Sequence, residues 1–97
     1  MKEDLLKLIK HYGVNNQQRK LQEEIFELQE AIIKYELDET GLETKKHIEE
    51  EFADCMVILE QFKAYYNLDN NKIVDIMYKK IKRQLDRISK ESKENER

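Results

Sequence analysis

Apolar side chains recur at alternating spacings of three and four residues along most of this 97-residue chain. Because an α-helix has about 3.6 residues per turn, this spacing places them on one side of a helix. The four rows are Leu5, Leu8, Ile9 and Tyr12; Leu21, Ile25, Leu28, Ile32 and Tyr35; Ile48, Phe52, Cys55, Leu59 and Phe62; and Val74, Met77, Ile81, Leu85 and Ile88. Such regularity argues against the disorder that 40% charged residues would otherwise suggest.

Residues that favour turns and helix ends separate these rows. Gly13 suits the C-terminal cap of a first helix, and Asn15–Asn16 can cap the start of the second. The segment Asp38–Gly41 breaks the second helix, and Thr40 with Glu43 fits the capping box of a third. The sequence therefore predicts a short first helix and an antiparallel central hairpin.

The segment 67–71 predicts one more turn, followed by a long C-terminal helix. With no proline and two glycines, the chain lacks the turn residues that a β-sandwich or barrel needs. We therefore expect an all-α four-helix bundle protomer, with a single domain over residues 1–90 and a polar, frayed tail over 91–97. A chain this short buries a thin core, so we expect it to share that core in a homo-oligomer.

Composition excludes several classes of protein. No stretch of about 18 apolar residues occurs, so no membrane span is expected, and the N-terminus lacks the apolar core of a signal peptide. A lone cysteine fits a reducing, cytoplasmic location. A net charge of −3 argues against a general surface for nucleic acid polymers.

Acidic residues repeat between the second and third rows at an offset of 27 positions. This offset carries Glu24 to Glu51 and Glu27 to Asp54. Each acid lies on the edge of its apolar row. If the two helices fold back antiparallel, the midpoint of the acid pairs is residue 39, and both pairs lie about 20 Å from the turn. Four carboxylates then converge on one edge of a helical hairpin.

Converging carboxylates repel one another unless a positive charge lies among them. Ligands that are all oxygen favour magnesium, manganese or calcium. Carboxylate-bridged di-iron bundles use Glu-x-x-His pairs, and neither His11 nor His47 lies in such a pair. The alternative interpretation is that these acids form a solvated helix face. Their matching positions on two helices favour the metal site.

The acidic motifs resemble those of a known family. Glu23-Glu24-Ile25-Phe26-Glu27, followed by Glu51-Phe52-Ala53-Asp54, reads as E-E-x-x-E, a spacer and E-x-x-D. This is similar to the signature of the MazG-like all-α nucleoside triphosphate pyrophosphohydrolases. The resemblance covers roughly residues 12–88, and the upstream segment Tyr12-Gly13-Val14 with Gln17 and Lys20 agrees with it.

The resemblance implies magnesium-dependent hydrolysis of a (d)NTP to the monophosphate and pyrophosphate, with Mn²⁺ as the alternative cofactor. It implies that the metal ligands are Glu24, Glu27, Glu51 and Asp54, and that Glu23 is a supporting acid or activates the attacking water. It also implies a homo-dimer or homo-tetramer with sites near the subunit contacts. Gln17 and Lys20 are expected to face the substrate.

The predicted C-terminal helix is basic, and Lys80, Gln84 and Arg87 share one flank of its apolar row. These residues are similar to the family's lysine, asparagine and arginine, although Gln84 stands where asparagine is usual. They are therefore expected to bind substrate. The alternative is that the positive charges complement the helix dipole and the acidic helices.

Two other functions stay open on the sequence. One is a non-catalytic helical module that forms oligomers or binds partners. The other, within the same superfamily, is a phosphoribosyl-ATP pyrophosphohydrolase-like enzyme. The base and sugar of the substrate depend on pocket shape, which the spacing of residues does not reveal.

Overall fold

The computed structural model describes residues 1–38, 41 and 44–95. Over these residues the chain forms four α-helices and no strand, which confirms the predicted all-α class. The helices are α1 (Lys2–Tyr12), α2 (Val14–Leu37), α3 (Lys45–Tyr65) and α4 (Asn70–Asn95). None of them is long and apolar enough, within the described part of the chain, to cross a membrane.

The chain divides into two compact units. The first runs from Met1 to Asn67 and contains α1, α2 and α3, and the second begins at Leu68 and contains α4. In the first unit α2 packs against α3, and α1 packs against both. Four apolar side chains are buried among the described residues of this unit, namely Ile9, Ala31, Cys55 and Ile58.

The inward face of α2 overlaps the predicted apolar row only in part, since Leu21, Leu28 and Tyr35 are half-buried. Ile25 and Ile32 belong to the predicted apolar row, yet 43% of the Ile25 side chain is exposed and Ile32 is similar. The buried residues of α2 are instead Gln17, Glu24 and Ala31, which are seven residues apart. Two turns of helix separate each from the next, so they form one straight row. The helix thus buries a polar and small-residue row and leaves part of its apolar row outside.

The predicted row of α3 is likewise buried only in part. Its buried residues are Cys55, Ile58 and Gln61, whereas Phe52 and Leu59 of the predicted row are about half exposed. Cys55 is buried, as expected for a small core residue.

Gly13 joins α1 to α2 as a single residue between the two helices. Its φ of 93° lies in the region that favours glycine, and its N–H donates to the carbonyl of Ile9 at 2.8 Å. The predicted C-cap is therefore confirmed. Asn16, by contrast, does not cap the start of α2. It lies inside that helix, where its Nδ2 donates to the carbonyl of Tyr12 at 2.8 Å, so it supports the end of α1.

The start of α3 is capped by Thr44, whose Oγ1 accepts from the His47 N–H at 3.2 Å. Such a bond satisfies one of the backbone donors that a helix start leaves open. The capping box predicted at Thr40 and Glu43 lies outside the described residues. Before it, the Asp38 carboxylate accepts from the Gly41 N–H at 3.0 Å, as expected for a turn.

The second unit is a 26-residue helix that begins after Asp69. The Asp69 Oδ1 atom accepts from the N–H groups of Asn71 and Lys72, so the aspartate caps the helix. Helix α4 continues to Asn95, through residues predicted as a polar tail. Its predicted apolar row is exposed, and consists of Val74, Met77, Ile81, Leu85 and Ile88.

Replacing Ile9 with alanine should destabilise the first unit much more than the same change at Leu8. Ile9 is fully buried, whereas Leu8 is 38% exposed. Loss of a buried isoleucine side chain typically costs about 2–5 kcal/mol, because a cavity remains. Urea unfolding of Ile9→Ala and Leu8→Ala, followed by circular dichroism, measures the difference. Equal losses in the two variants would contradict the packing described for α1.

Candidate metal centre and adjoining cleft

Three carboxylates from two helices meet in the first unit. Glu24 lies on α2, and Glu51 and Asp54 lie on α3. One oxygen from each lies within 4.8 Å of the others, so a single ion could contact all three. We refer to these three residues as the acidic cluster.

The antiparallel packing of α2 and α3 brings the cluster together. Glu24 and Asp54 are symmetric about residue 39, which is the midpoint predicted for the hairpin. Glu51 lies one turn before Asp54 on α3, so it projects from the same side of that helix. The predicted convergence of acids is thus present for these three residues, and Glu27, which is not one of the three, contacts Glu24 and Glu51.

Burial makes the cluster electrostatically costly. Glu24 is only 6% exposed, and Glu51 is half-buried. The Oε2 atoms of both glutamates are buried without a hydrogen-bond partner. Most buried polar atoms in proteins have such a partner, and a buried charge without one is strongly unfavourable. These two oxygens are therefore available to a positively charged ligand.

Lys20 supplies one positive charge. Its Nζ lies 3.1 Å from the Glu24 Oε1 atom, one turn away on α2. The hydrogen bond to Glu24, followed by the charge of that carboxylate, raises the pKa of Lys20 above its ordinary value. The lysine side chain is 53% exposed, whereas that of Glu24 is 7% exposed. Lys20 thus pairs with one carboxylate of the cluster, and the Oε2 atoms of Glu24 and Glu51 keep no hydrogen-bond partner.

Glu27 contacts the cluster from its exposed side. The negative charge of Glu24 is the main cause that raises the pKa of Glu27 above its ordinary value. Burial, the charge of Glu51 and hydrogen bonds to both glutamates add to this effect. Protonation of Glu27 therefore removes one negative charge and relieves part of the repulsion among these carboxylates. A bound cation would have the same effect.

The donor atoms fit a hard divalent cation. They are carboxylate oxygens, which suit magnesium, manganese or calcium. Cys55 is nearby, but burial and then the charge of Glu24 raise the pKa of its thiol. The three grouped ligand residues are all carboxylates, and Cys55 is not among them.

A cleft of about 660 Å³ adjoins the cluster, within the size range of small-molecule sites. Its polar lining includes Gln17 and Lys20, the two residues expected to face substrate, with Glu24 and Asp54 beside them. Tyr12, Val57, Ile58 and Gln61 line the rest. One part of the cleft lining is therefore anionic and suited to a cation, and the rest carries apolar side chains and amide groups.

The sequence did not indicate Gln61 as a site residue. The Gln17 Nε2 atom donates to the Gln61 Oε1 atom at 2.8 Å, and both side chains are buried. One signal was available, because Gln61 is the symmetric partner of Gln17 about residue 39. Hydrophobic spacing alone cannot single it out among the polar residues of α3.

The other predicted site residues lie outside the acidic cluster. Glu23 is exposed on α2, outside the acidic cluster. Lys80, Gln84 and Arg87 are exposed on α4, in the second unit. Their roles in water activation and substrate binding stay predictions.

Comparisons with protein-family models, with curated proteins and with solved structures gave no match to this chain. The acidic motifs and the cleft therefore carry the functional argument.

In metal-free buffer, Glu27 should make the folded state less stable as pH rises. Its pKa is higher in the folded than in the unfolded chain, so the folded state binds more protons. That contribution is full below the ordinary value of 4.5 and is lost as pH rises through the raised pKa. The free energy of unfolding of Glu27→Gln, minus that of wild type, should therefore increase as pH rises.

Urea unfolding in the presence of EDTA, between about pH 4 and pH 7, tests this expectation. Glu36→Gln is the matched control, because Glu36 is exposed on the same helix. A constant stability difference between Glu27→Gln and wild type across the pH range would contradict it.

Proposed function

We propose that this chain is a magnesium-dependent nucleotide pyrophosphohydrolase, which converts a (d)NTP to the (d)NMP and pyrophosphate. The observation that carries the proposal is the acidic cluster with two buried, unpartnered carboxylate oxygens. It adjoins a cleft that is large enough for a small molecule and carries a lysine. The choice of a nucleoside triphosphate comes from the resemblance of the acidic motifs to the MazG-like family.

The cluster residues Glu24, Glu51 and Asp54 are the metal ligands in this proposal, and Glu27 joins them when it is deprotonated. Magnesium, when bound, neutralises negative charge on phosphate oxygens and makes a water a better nucleophile. Manganese has similar ligand preferences and is the alternative ion.

Lys20 and Glu23 have separate roles in this proposal. Lys20 lies on the cleft wall, where its half-exposed ammonium can bind an anionic phosphate oxygen. Glu23 is four residues before Glu27 and shares its flank of α2. Its exposed carboxylate is thus on the side of the helix where Glu27 contacts the cluster, which supports a role in accepting a proton from water.

The expected assembly is part of the same proposal. Large apolar side chains of α2 and α3 are exposed in the single chain, among them Phe26, Ile33, Phe52 and Met56. A monomer rarely leaves this much apolar surface on one hairpin, so a homo-dimer or homo-tetramer is favoured. A four-helix bundle remains the expected form, and Lys80, Gln84 and Arg87 of α4 remain the expected substrate-binding residues, as the resemblance implies.

Exposed apolar surface also suits the rival function, a non-catalytic module that binds helical partners. The two functions differ in what the buried acids do. In a non-catalytic module, the buried acids would lower the stability of the fold, and no bound cation would offset this cost. In the enzyme they bind the cation.

Magnesium should raise the melting temperature of the wild-type protein, because it binds the folded cluster. A ligand at about 100 times its Kd adds roughly 2.7 kcal/mol of stability. Glu24→Gln and Asp54→Asn should lose this response, and in EDTA they should melt above wild type because carboxylate repulsion is relieved. Glu36→Gln is the control and should keep the wild-type response. A melting temperature that does not change with magnesium favours the module instead.

Pyrophosphate release from a panel of canonical and modified (d)NTPs tests the chemistry. Wild-type protein with magnesium should hydrolyse at least one of them. Glu24→Ala and Asp54→Ala should lose at least the roughly 10- to 100-fold in activity that even loss of an outer-shell partner costs. No turnover of any nucleotide, or undiminished turnover in these variants, would sink the assignment. Competition between these nucleotides and phosphoribosyl-ATP distinguishes the proposed enzyme from a phosphoribosyl-ATP pyrophosphohydrolase-like enzyme.

A further inference from the structure

A pair of buried glutamines lies in the same cleft as the acidic cluster. Gln17 on α2 is 7% exposed and Gln61 on α3 is 3% exposed, and their amides share the 2.8 Å hydrogen bond described above. Both residues line the cleft beside Glu24 and Asp54. We refer to Gln17 and Gln61 as the amide pair.

Stability alone does not explain the amide pair. A hydrogen bond between neutral side chains contributes about 1 kcal/mol net, because the same groups are hydrogen-bonded to water in the unfolded chain. Two apolar side chains at these positions would extend the core formed by Ile9, Cys55 and Ile58. Retaining two amides at this depth therefore suggests a role in binding.

The pair has hydrogen-bonding capacity to spare. Each glutamine amide has two N–H donors and a carbonyl oxygen with two lone pairs. The bond between them uses one donor of Gln17 and one lone pair of Gln61. Among the described residues, the buried side-chain atoms that lack a partner belong to Glu24 and Glu51, so the remaining amide groups are not sealed away from the cleft. A donor of Gln61 and the carbonyl oxygen of Gln17 thus remain for a ligand in the cleft that both residues line.

The amide pair and the acidic cluster occupy two levels of the hairpin. Gln17 precedes Glu24 by seven residues on α2, and Gln61 follows Asp54 by seven residues on α3. Because the helices are antiparallel, both steps run in the same direction, and each covers about 10 Å. This is comparable with the separation between the α-phosphate and the far edge of the base in an extended nucleotide.

The cleft also offers surfaces for a flat ring. Tyr12, Val57 and Ile58 line it together with the amide pair. An aromatic side chain can stack on a base, and aliphatic side chains cover its other face. An amide that presents a donor and an acceptor side by side matches the edge of a base that presents the complementary two groups.

We propose that the amide pair Gln17–Gln61 reads the hydrogen-bonding edge of the substrate's nucleobase, while the acidic cluster and Lys20 hold the phosphate end. This inference rests on the proposed function. It names Gln61 as a specificity-determining residue, and it separates base recognition from phosphate chemistry by two helical turns.

The double variant Gln17→Leu/Gln61→Leu tests the proposal, since leucines of similar size keep the two positions filled. Steady-state kinetics with magnesium should show kcat/KM for the preferred (d)NTP reduced roughly 10- to 100-fold, as expected for two lost neutral hydrogen bonds. The kcat/KM of the double variant for inorganic triphosphate should fall less, because this substrate has no base. The preference among bases should shrink accordingly. Gln18→Leu, an exposed neighbour on α2, is the control and should keep the wild-type preference.

A second measurement does not depend on a variant. With wild-type protein, methylation of the base edge of the preferred nucleotide should lower kcat/KM by a similar factor. Equal turnover of methylated and unmethylated nucleotides, or an unchanged base preference in the double variant, contradicts the role of the amide pair and leaves the proposed function standing. Wild-type protein that hydrolyses no nucleotide contradicts both.

Discussion

The antiparallel pairing of α2 with α3 sets every distance in the first unit. Residues symmetric about position 39 face one another, and two such pairs form the site. Gln17 and Gln61 are hydrogen-bonded at 2.8 Å, and Glu24 and Asp54 belong to one acidic cluster. A slip of one helical turn would separate both pairs by about 5 Å. Among the described residues, the amide hydrogen bond is a buried polar link between the two helices, while apolar packing supplies the free energy that holds them together.

That packing free energy also holds like charges at close range. Glu24 and Glu51 have buried oxygens without a partner, and Lys20 compensates only part of their charge. Folding therefore tolerates a repulsive arrangement that a cation would relieve. Sites of this kind are typically less stable than the scaffold around them, because residues suited to chemistry differ from residues suited to packing.

The helices, their order and the register of the hairpin could be predicted from the sequence. Helical spacing is periodic over four long segments, and the acid pairs repeat at one offset, so their midpoint follows by symmetry. The inward face could not be predicted as well. Ile25 and Ile32 are apolar yet exposed, whereas the buried positions of α2 are Gln17, Glu24 and Ala31. Hydrophobic spacing assigns polar and small residues to the solvent side of a helix, so it cannot show that these three positions are buried.

The single-residue joint at Gly13 has a mechanical consequence. Two backbone torsions connect α1 to α2, and the hydrogen bond to the Ile9 carbonyl and the Asn16 bond to Tyr12 restrain them from both sides. A connection of one residue permits less relative motion of α1 and α2 than a loop of several residues would. Tyr12, the last residue of α1, is therefore carried at a set height above α2 on the wall of the cleft. Any motion that widens the cleft on this side must unwind a helix end or tilt α1 as a whole.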